Sequence, residues 1–381
     1  MLARFQVSLL PHVLYVRPSE QAELREPEIS FNDLAIRFRS PYKSQFSLAD
    51  LDSHTPRATA EVGALLDPEV PQSVSAITRI DGEHVRLCNA LQVDVSRASF
   101  DRRPGAFDPP PPLLFNLVNS WLSRLRSLSR AAQLRPLAPV ESIWRIVYLN
   151  DDESPLEPQQ NLVRTVQTYA FQARFIILSK GLWDAISALP WGYETTGADK
   201  LLLDAQDFVN DVGPSIVLAF TALETRIAFA LDRLAQLYGV GPSMWEWIND
   251  RADSTHLKAP SVSEQFDSLL KAITGRSLKD EAKLWEGFQN LRKARNSFVH
   301  GGVGVIGGKA VDRDQALTLV GVANEILDWI DGLLPVGDRR PKFNETYNIE
   351  SDIPITQVGL DQITSRLHEA QAAESTDATT A

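Results

Sequence analysis

The spacing of the apolar residues changes near residue 150, and this change limits the class of fold that the chain can adopt. Before it, apolar and polar residues alternate in five segments separated by Pro, Gly and Asp: 4–16, 29–39, 74–80, 84–97 and 142–149. A period of two is typical of strands. After the acidic stretch 150–158, apolar residues recur every three or four positions, as they do on helices. The sequence therefore predicts an α+β protein, with a β-rich N-terminal domain (residues 1–150) followed by an α-helical bundle.

Residues 113–134 interrupt the β-rich half with a helical pattern. The apolar positions on one face of this stretch are Leu114, Leu117, Trp121, Leu125 and Leu128. Such a stripe predicts an amphipathic helix that docks on protein rather than on a membrane. The preceding stretch, 101–112, is rich in proline and predicts a stiff, polyproline-like linker.

The second half of the chain predicts a helical domain over residues 160–336, with its core at 198–336. Helices are expected at 161–188, 199–212, 214–239, 262–273, 280–300 and 312–334. Pro214 opens the third of these and Gly239 ends it, as these residue types often do at the two ends of a helix. Residues 337–381 are polar and predict a partly disordered tail.

Composition limits the environment and the partners of the chain. No apolar run reaches the roughly 20 residues of a transmembrane helix, so no membrane is expected. Cys88 is the single cysteine and can build neither a disulfide framework nor a zinc site, which predicts a packing role in a cytoplasmic protein. The formal net charge of −11 disfavours bulk electrostatic binding of nucleic acid. It still allows a specific RNA to bind at a local basic patch.

No metal and no cofactor is predicted. Five of the histidines are scattered without metal-ligand spacing: His12, His54, His84, His256 and His368. Gly302-x-Gly304-x-x-Gly307 matches the letters of a dinucleotide-binding fingerprint, but it follows a helix rather than a strand. It predicts a flexible loop between helices.

The segment 283–302, KLWEGFQNLRKARNSFVHGG, carries the most informative motif. Arg295 and His300 are separated by four residues, and Asn296 directly follows the arginine. The motif ends a strongly patterned helix and is followed by two glycines, as expected at a helix C-terminus. Two other Arg-to-His pairs of similar spacing, Arg79…His84 and Arg251…His256, fall at a turn and in a polar loop and are interpreted as coincidence.

The order of these elements resembles the HEPN ribonuclease family. A long helix with Ala222-Leu223-Glu224 comes first, then the Arg-Asn-x-x-x-His helix, then an amphipathic helix. The resemblance covers about 140 residues, 198–336. It implies a helical bundle that dimerises and cleaves RNA without metal, in a composite cleft to which two chains contribute. The β-rich half placed ahead of it is similar in layout to bacterial anti-phage and abortive-infection effectors, which implies that this half binds a phage-derived or protein trigger.

The chemistry of RNA cleavage suits these residue types. His300 would take the proton of the 2′-hydroxyl, since histidine titrates near neutrality. Arg295 would stabilise the added charge of the phosphorane, because its planar guanidinium matches phosphate oxygens. Asn296, and with less support Glu224, would assist. Six basic and three acidic residues between 276 and 295 make this a basic island in an acidic protein.

A different interpretation stays open. On a helical wheel Arg295 falls in the middle of an apolar stripe, and His300 lies about 140° from it if the helix is unbroken. Arg295 would then pair with Glu224 or another acid, and His300 would only cap the helix. In that case the domain is a non-catalytic dimerisation or binding module that recognises a protein or nucleotide partner.

Overall fold

The structure is a computed structural model. It describes residues 1–351 except 11, 32, 46–65, 69–73, 102–107, 140–141, 157–173, 191–192 and 250–259. The chain divides into two compact units. The β unit comprises Met1–Phe115, Leu137–Asp184 and the segment that begins at Glu345, and the helical unit comprises Asn116–Pro136 and Ala185–Asn344. The mixed α and β fold predicted from the two periodicities is confirmed at this level.

The strands are short, and hairpins connect several of them. In chain order the described strands are β1 (Leu2–Ser8), β2 (His12–Val16), β3 (Glu28–Phe31), β4 (Leu34–Phe38), β5 (Val74–Ile80), β6 (Glu83–Cys88), β7 (Ala90–Ser96), β8 (Trp144–Leu149), β9 (Arg174–Ile177), β10 (Val305–Ile306), β11 (Lys309–Ala310) and β12 (Ile349–Ser351).

The longest helices are in the second half of the chain. The described helices are α1 (Pro18–Gln21), α2 (Pro111–Ser129), α3 (Lys180–Ala188), α4 (Gly197–Asp207), α5 (Val212–Leu237), α6 (Pro242–Asn249), α7 (Val262–Glu264), α8 (Leu270–Thr274), α9 (Ala282–Gly301) and α10 (Arg313–Leu333). A π-helical turn, Gln265–Leu269, joins α7 to α8.

The described residues of the β unit form two five-stranded sheets. One has the order β3-β4-β7-β1-β8 and is antiparallel throughout. The other has the order β12-β5-β6-β2-β9, and its β2–β9 pair is parallel. Side chains alternate between the two faces of β1, and Phe5 lies on the buried face. Its ring centroid is 5.4 Å from that of Phe115 and 6.0 Å from that of Trp144. Cys88 is fully buried in this unit, and burial raises the pKa of its thiol to about 12, as suits a packing residue.

One segment differs from the sequence-based predictions, and the described part of the tail adds a strand that they did not include. Within the helix expected at 161–188, Arg174–Ile177 forms strand β9, and the helix begins at Lys180; residues 161–173 lie outside the described part of the chain. The three apolar residues of this segment are compatible with either a helix or a strand, and the pairing with β2 makes the segment a strand. The tail expected from residue 337 is ordered as far as β12, which pairs with β5. Its remainder, 352–381, and most of the linker 101–112 are not among the described residues.

Helix α5 lies at the centre of the helical unit and packs against α4, α9 and α10. Its apolar stripe is buried: Ile216, Phe220, Leu223, Ile227, Leu231 and Leu234. Among the described helices, α5 is the one long and apolar enough to cross a membrane, and 56% of its most apolar window is buried inside the protein. The part of α2 from Asn116 onward also belongs to this unit rather than to the β-rich one.

The glycine-rich segment after α9 forms a hairpin rather than the flexible loop that was predicted. Strands β10 and β11 pair, and the two residues between them, Gly307 and Gly308, have φ of +58° and +80°. A two-residue hairpin turn with positive φ at both positions favours glycine. The backbone N–H of Val305 donates to Ser297 Oγ at 2.6 Å, which ties the hairpin to α9.

Candidate active site

Helix α9 positions all three residues of the motif. It runs unbroken to Gly301, and Gly302 ends it in the left-handed conformation, with φ +75° and its N–H 2.7 Å from the carbonyl of Phe298. Arg295 and His300 therefore keep helical spacing and point about 140° apart. Within one chain they do not converge.

Arg295 is half-buried on the inner side of α9. Its guanidinium lies over the ring of Phe220, 5.5 Å from the centroid, and Nη1 donates to Asn296 Oδ1 at 3.1 Å. Nε is buried without a hydrogen-bond partner. Arg295 and Glu224 are both described, and they do not form an ion pair. The guanidinium of Arg295 stacks instead on Phe220 of α5, one helical turn before Glu224. Of the two predicted supporting residues, Arg295 therefore contacts Asn296, through a hydrogen bond, and not Glu224.

His300 and Asn296 lie on the exposed side of the same helix. Both side chains are exposed, and the i, i+4 spacing puts them on one face. Two apolar side chains near His300 are also exposed: Val299 by 50% and Val303 by 52%. This end of α9 presents an imidazole, an amide and apolar surface together.

The positive charge of the basic island is concentrated at this end of α9. Its earlier cations are ion-paired: Arg276 with Glu281, Lys279 with Asp267, and Lys283 with Glu325. By contrast, Arg292, Lys293 and Arg295 form no ion pair with any residue that the structure describes; Arg292 donates to a serine hydroxyl. Three uncompensated cations within one helical turn favour an anionic ligand.

The first of the two coincidental Arg-to-His pairs is a contact across a hairpin. Arg79 Nε lies 3.2 Å from His84 Nε2, because β5 and β6 bring the two residues opposite each other around the turn Asp81-Gly82. On the other side Arg79 faces Glu350 of β12. The pair is accounted for by cross-strand packing. The second pair, Arg251 and His256, lies outside the described residues.

Two features of the helical unit were not predicted from the sequence. One is a cluster of buried charges around Arg340, in the segment that was interpreted as tail. The other is a polar groove beside α2, lined by the face opposite the apolar stripe. The signal for the groove was present, because amide and hydroxyl residues recur at helical spacing from Asn116 to Ser123.

No family model, curated protein or solved structure matches the chain. Within the described part of the chain, no group of three or more His, Cys, Asp or Glu side chains is placed to hold a metal ion. The candidate site therefore rests on its own geometry and charge.

Proposed function

We propose that the helical unit is a HEPN-like bundle that cleaves RNA without a metal ion, at a site to which two copies of the chain contribute Arg295 and His300. In this proposal the protein acts in the cytoplasm as an anti-phage effector or toxin, and the β unit regulates it in response to a phage-derived or protein trigger. The observation that carries the proposal is the set of uncompensated cations beside an exposed histidine at the end of α9.

The environment of Arg295 supports a role in binding an anion. A guanidinium carries five N–H donors, and only one donor contact, to Asn296, is made with the described residues. Leaving donors unsatisfied in a half-buried position costs free energy. A phosphate oxygen supplied from outside the chain would accept from the donors that reach the surface and would gain a charge-assisted hydrogen bond.

The divergence of Arg295 and His300 supports a site composed of two chains. A two-fold axis near the end of α9 would bring His300 of each copy towards Arg295 of the other. The exposed Val299 and Val303 would then be buried in the interface, whose centre is typically apolar.

The reaction would proceed by transfer within the RNA. His300 takes the 2′-hydroxyl proton, the 2′-oxygen bonds to phosphorus, and the bond from phosphorus to the 5′-oxygen breaks. The leaving 5′-oxygen takes a proton from water, so the products are a 2′,3′-cyclic phosphate and a 5′-hydroxyl. Arg295 stabilises the extra charge of the phosphorane, and Asn296 holds Arg295 by the contact already described.

A non-catalytic dimerisation or binding module is the rival proposal. It is favoured by the exposed valines next to His300, which would suit an interface without any chemistry. The two proposals differ in their products: only the ribonuclease releases cyclic phosphate ends.

Cleavage is expected to continue in excess EDTA, because protonation chemistry at His300 and charge stabilisation by Arg295 need no metal. Labelled RNA incubated with and without EDTA should give equal rates and 2′,3′-cyclic phosphate ends. A rate that disappears with the chelator and returns with magnesium would contradict the proposed mechanism.

Mixing two inactive variants is expected to restore part of the activity. In a dimer of Arg295→Ala with His300→Ala, one composite site keeps both residues. Random exchange makes about half of the dimers mixed, so the rate should return to about one quarter of the wild-type rate. Each variant alone, at the same total concentration, is the control. If the mixture stays as inactive as the single variants, the two residues do not meet across a dimer.

A further inference from the structure

A polar groove lies within the helical unit, between the later part of α2 and helix α4. Its volume is about 740 Å³, within the range of roughly 300–1,000 Å³ of small-molecule and cofactor sites. Leu122 and Leu134 contribute apolar lining and are almost fully buried, and the other walls are mainly polar. A groove with an apolar floor and polar walls is typical of a site that binds a partly aromatic, hydrogen-bonding ligand.

The α2 wall offers hydrogen-bonding groups, two of which bind no described residue. Asn116, Ser120 and Ser123 follow one another at helical spacing along the groove. Ser123 contacts Thr195, 3.1 Å away, whereas Asn116 and Ser120 make no hydrogen bond to a residue that the structure describes. An amide and a hydroxyl can each donate and accept, as base edges and ribose hydroxyls require.

Among the described residues, two of the three cations on the walls are ion-paired and Lys200 is not. Arg126 Nη2 is 2.8 Å from Asp204, and Arg135 is ion-paired with Asp207, so both arginines are neutralised. Lys200, on the same face of α4 as Asp204, is exposed and has no ion pair with any described residue. The carboxylate of Glu194 in the lining is likewise exposed and forms no ion pair with a described residue, so the walls carry no net charge. The groove can therefore accept a small anion at Lys200, but it lacks the charge to hold several phosphates.

An aromatic ring is available at the end of α4. Phe208 lines the groove with 43% of its surface exposed, and the guanidinium of Arg135 lies 5.4 Å from the centre of its ring. An exposed phenyl ring held in place by an arginine is a platform on which an unstacked base can lie. Tyr193 provides a second aromatic side chain in the lining.

We propose that this groove binds a ribonucleotide unit, with its base on Phe208, its phosphate at Lys200, and its ribose or base edge at Asn116 and Ser120. The ligand is either a free mononucleotide or one residue of a single-stranded RNA. The proposal does not depend on the helical unit being a ribonuclease.

The chain following the groove leads to the end of α9. Asn210, two residues after Phe208, accepts from Arg313 Nε at 2.8 Å at the start of α10. Gly213 lies against the ring of Phe298, where a Cβ would come within 2.0 Å of a ring carbon. Phe298 precedes His300 by two residues, so the chain that follows the groove contacts the last turn of α9.

Equilibrium binding to the full-length protein tests the groove. The probes are the four ribonucleoside 5′-monophosphates, measured by calorimetry, and a labelled single-stranded oligoribonucleotide with its deoxy counterpart, measured by fluorescence anisotropy. The oligonucleotide arms use a His300→Ala background so that the probe is not cleaved. Saturable binding of the ribonucleotides, weaker for the deoxy probe, is the expected result. Binding of mononucleotides identifies a free nucleotide as the ligand, and binding of the oligonucleotide alone identifies an RNA strand.

Two substitutions and two matched controls locate the binding. Phe208→Ala is expected to weaken binding about tenfold or more, since stacking on an aromatic side chain alone contributes roughly 1–3 kcal/mol. Lys200→Glu is expected to weaken binding to a similar extent, because it replaces the cation at the phosphate with an anion. Phe229→Ala and Lys271→Glu remove an equally exposed phenylalanine and an exposed lysine outside the groove, and they should leave the affinity unchanged. Absence of binding to every probe, or binding that neither groove variant weakens, would overturn the proposal. RNA cleavage by the wild-type protein in that case would leave the ribonuclease proposal standing.

Discussion

Replacing Arg340 with alanine is expected to lower the free energy of unfolding of the helical unit by about 3–5 kcal/mol. Arg340 is completely buried and forms ion pairs with three aspartates: Asp199 at 3.1 Å, Asp331 at 2.7 Å and Asp328. Removing the cation leaves these carboxylates in place, and Asp199 is itself 0% exposed. The buried carboxylates of Asp199 and Asp331 then lose a cation that water cannot replace in the interior, which is costly even where a second cation remains.

The neighbouring charges limit the effect without cancelling it. Arg226 also binds Asp331, Arg130 also binds Asp199 and Lys342 also binds Asp328, so each of the three acids keeps one cation after the substitution. The pairing of Arg130 is incomplete, because its Nε and Nη2 and the Oδ2 of Asp199 are buried without hydrogen-bond partners. The remaining cluster is therefore too poorly satisfied to compensate for the loss of Arg340.

Urea unfolding followed by far-ultraviolet circular dichroism measures this prediction. Arg339→Ala is the matched control: it removes an exposed arginine from the adjacent position, whose Nε donates to a backbone carbonyl. It should cost less than about 1 kcal/mol, as exposed substitutions usually do. If Arg340→Ala and Arg339→Ala had equally small effects, the buried cluster would not be what holds this segment to the bundle.

His300→Ala and Arg295→Ala are each expected to lower the rate of RNA cleavage about 100-fold or more. General base catalysis contributes about 10²–10⁴ in rate, and loss of one group that stabilises the developing charge costs about 10²–10³. Because His300 is exposed, its replacement should not affect the fold. Arg295→Ala also removes the contact with Phe220, so a small loss of stability is expected with it.

The measurement is the initial rate on labelled RNA, with circular dichroism to confirm that each variant is folded. Arg79→Ala and Arg251→Ala remove the arginines of the other two Arg-to-His pairs and should cleave at nearly the wild-type rate. The assignment of the active site would be abandoned if the His300 and Arg295 variants were as active as these controls.

Much of the candidate site could be predicted from the sequence because it lies on one helix. The spacing of Arg295, Asn296 and His300 on α9 follows from helical geometry alone, and the following glycine ends the helix locally. The partner of Arg295 could not be predicted in this way. Stacking on Phe220 instead of pairing with Glu224 depends on how α9 is placed against α5, which differs by one helical turn between the two arrangements.

The sequence by itself determined those elements whose pattern is local: the alternating strands β1 and β7, and the helices α5, α9 and α10 with their apolar stripes. Only the tertiary structure decided the features that join distant segments. Strand β9 exists because it pairs with β2, and Arg340 is buried because aspartates from α4 and α10 surround it. A polar or charged residue is typical of the surface unless a partner far along the chain neutralises it. The local spacing of residues does not indicate such a partner. The segment after residue 336 therefore has the polar composition of a tail, although Arg340 attaches it to the helical unit by ion pairs.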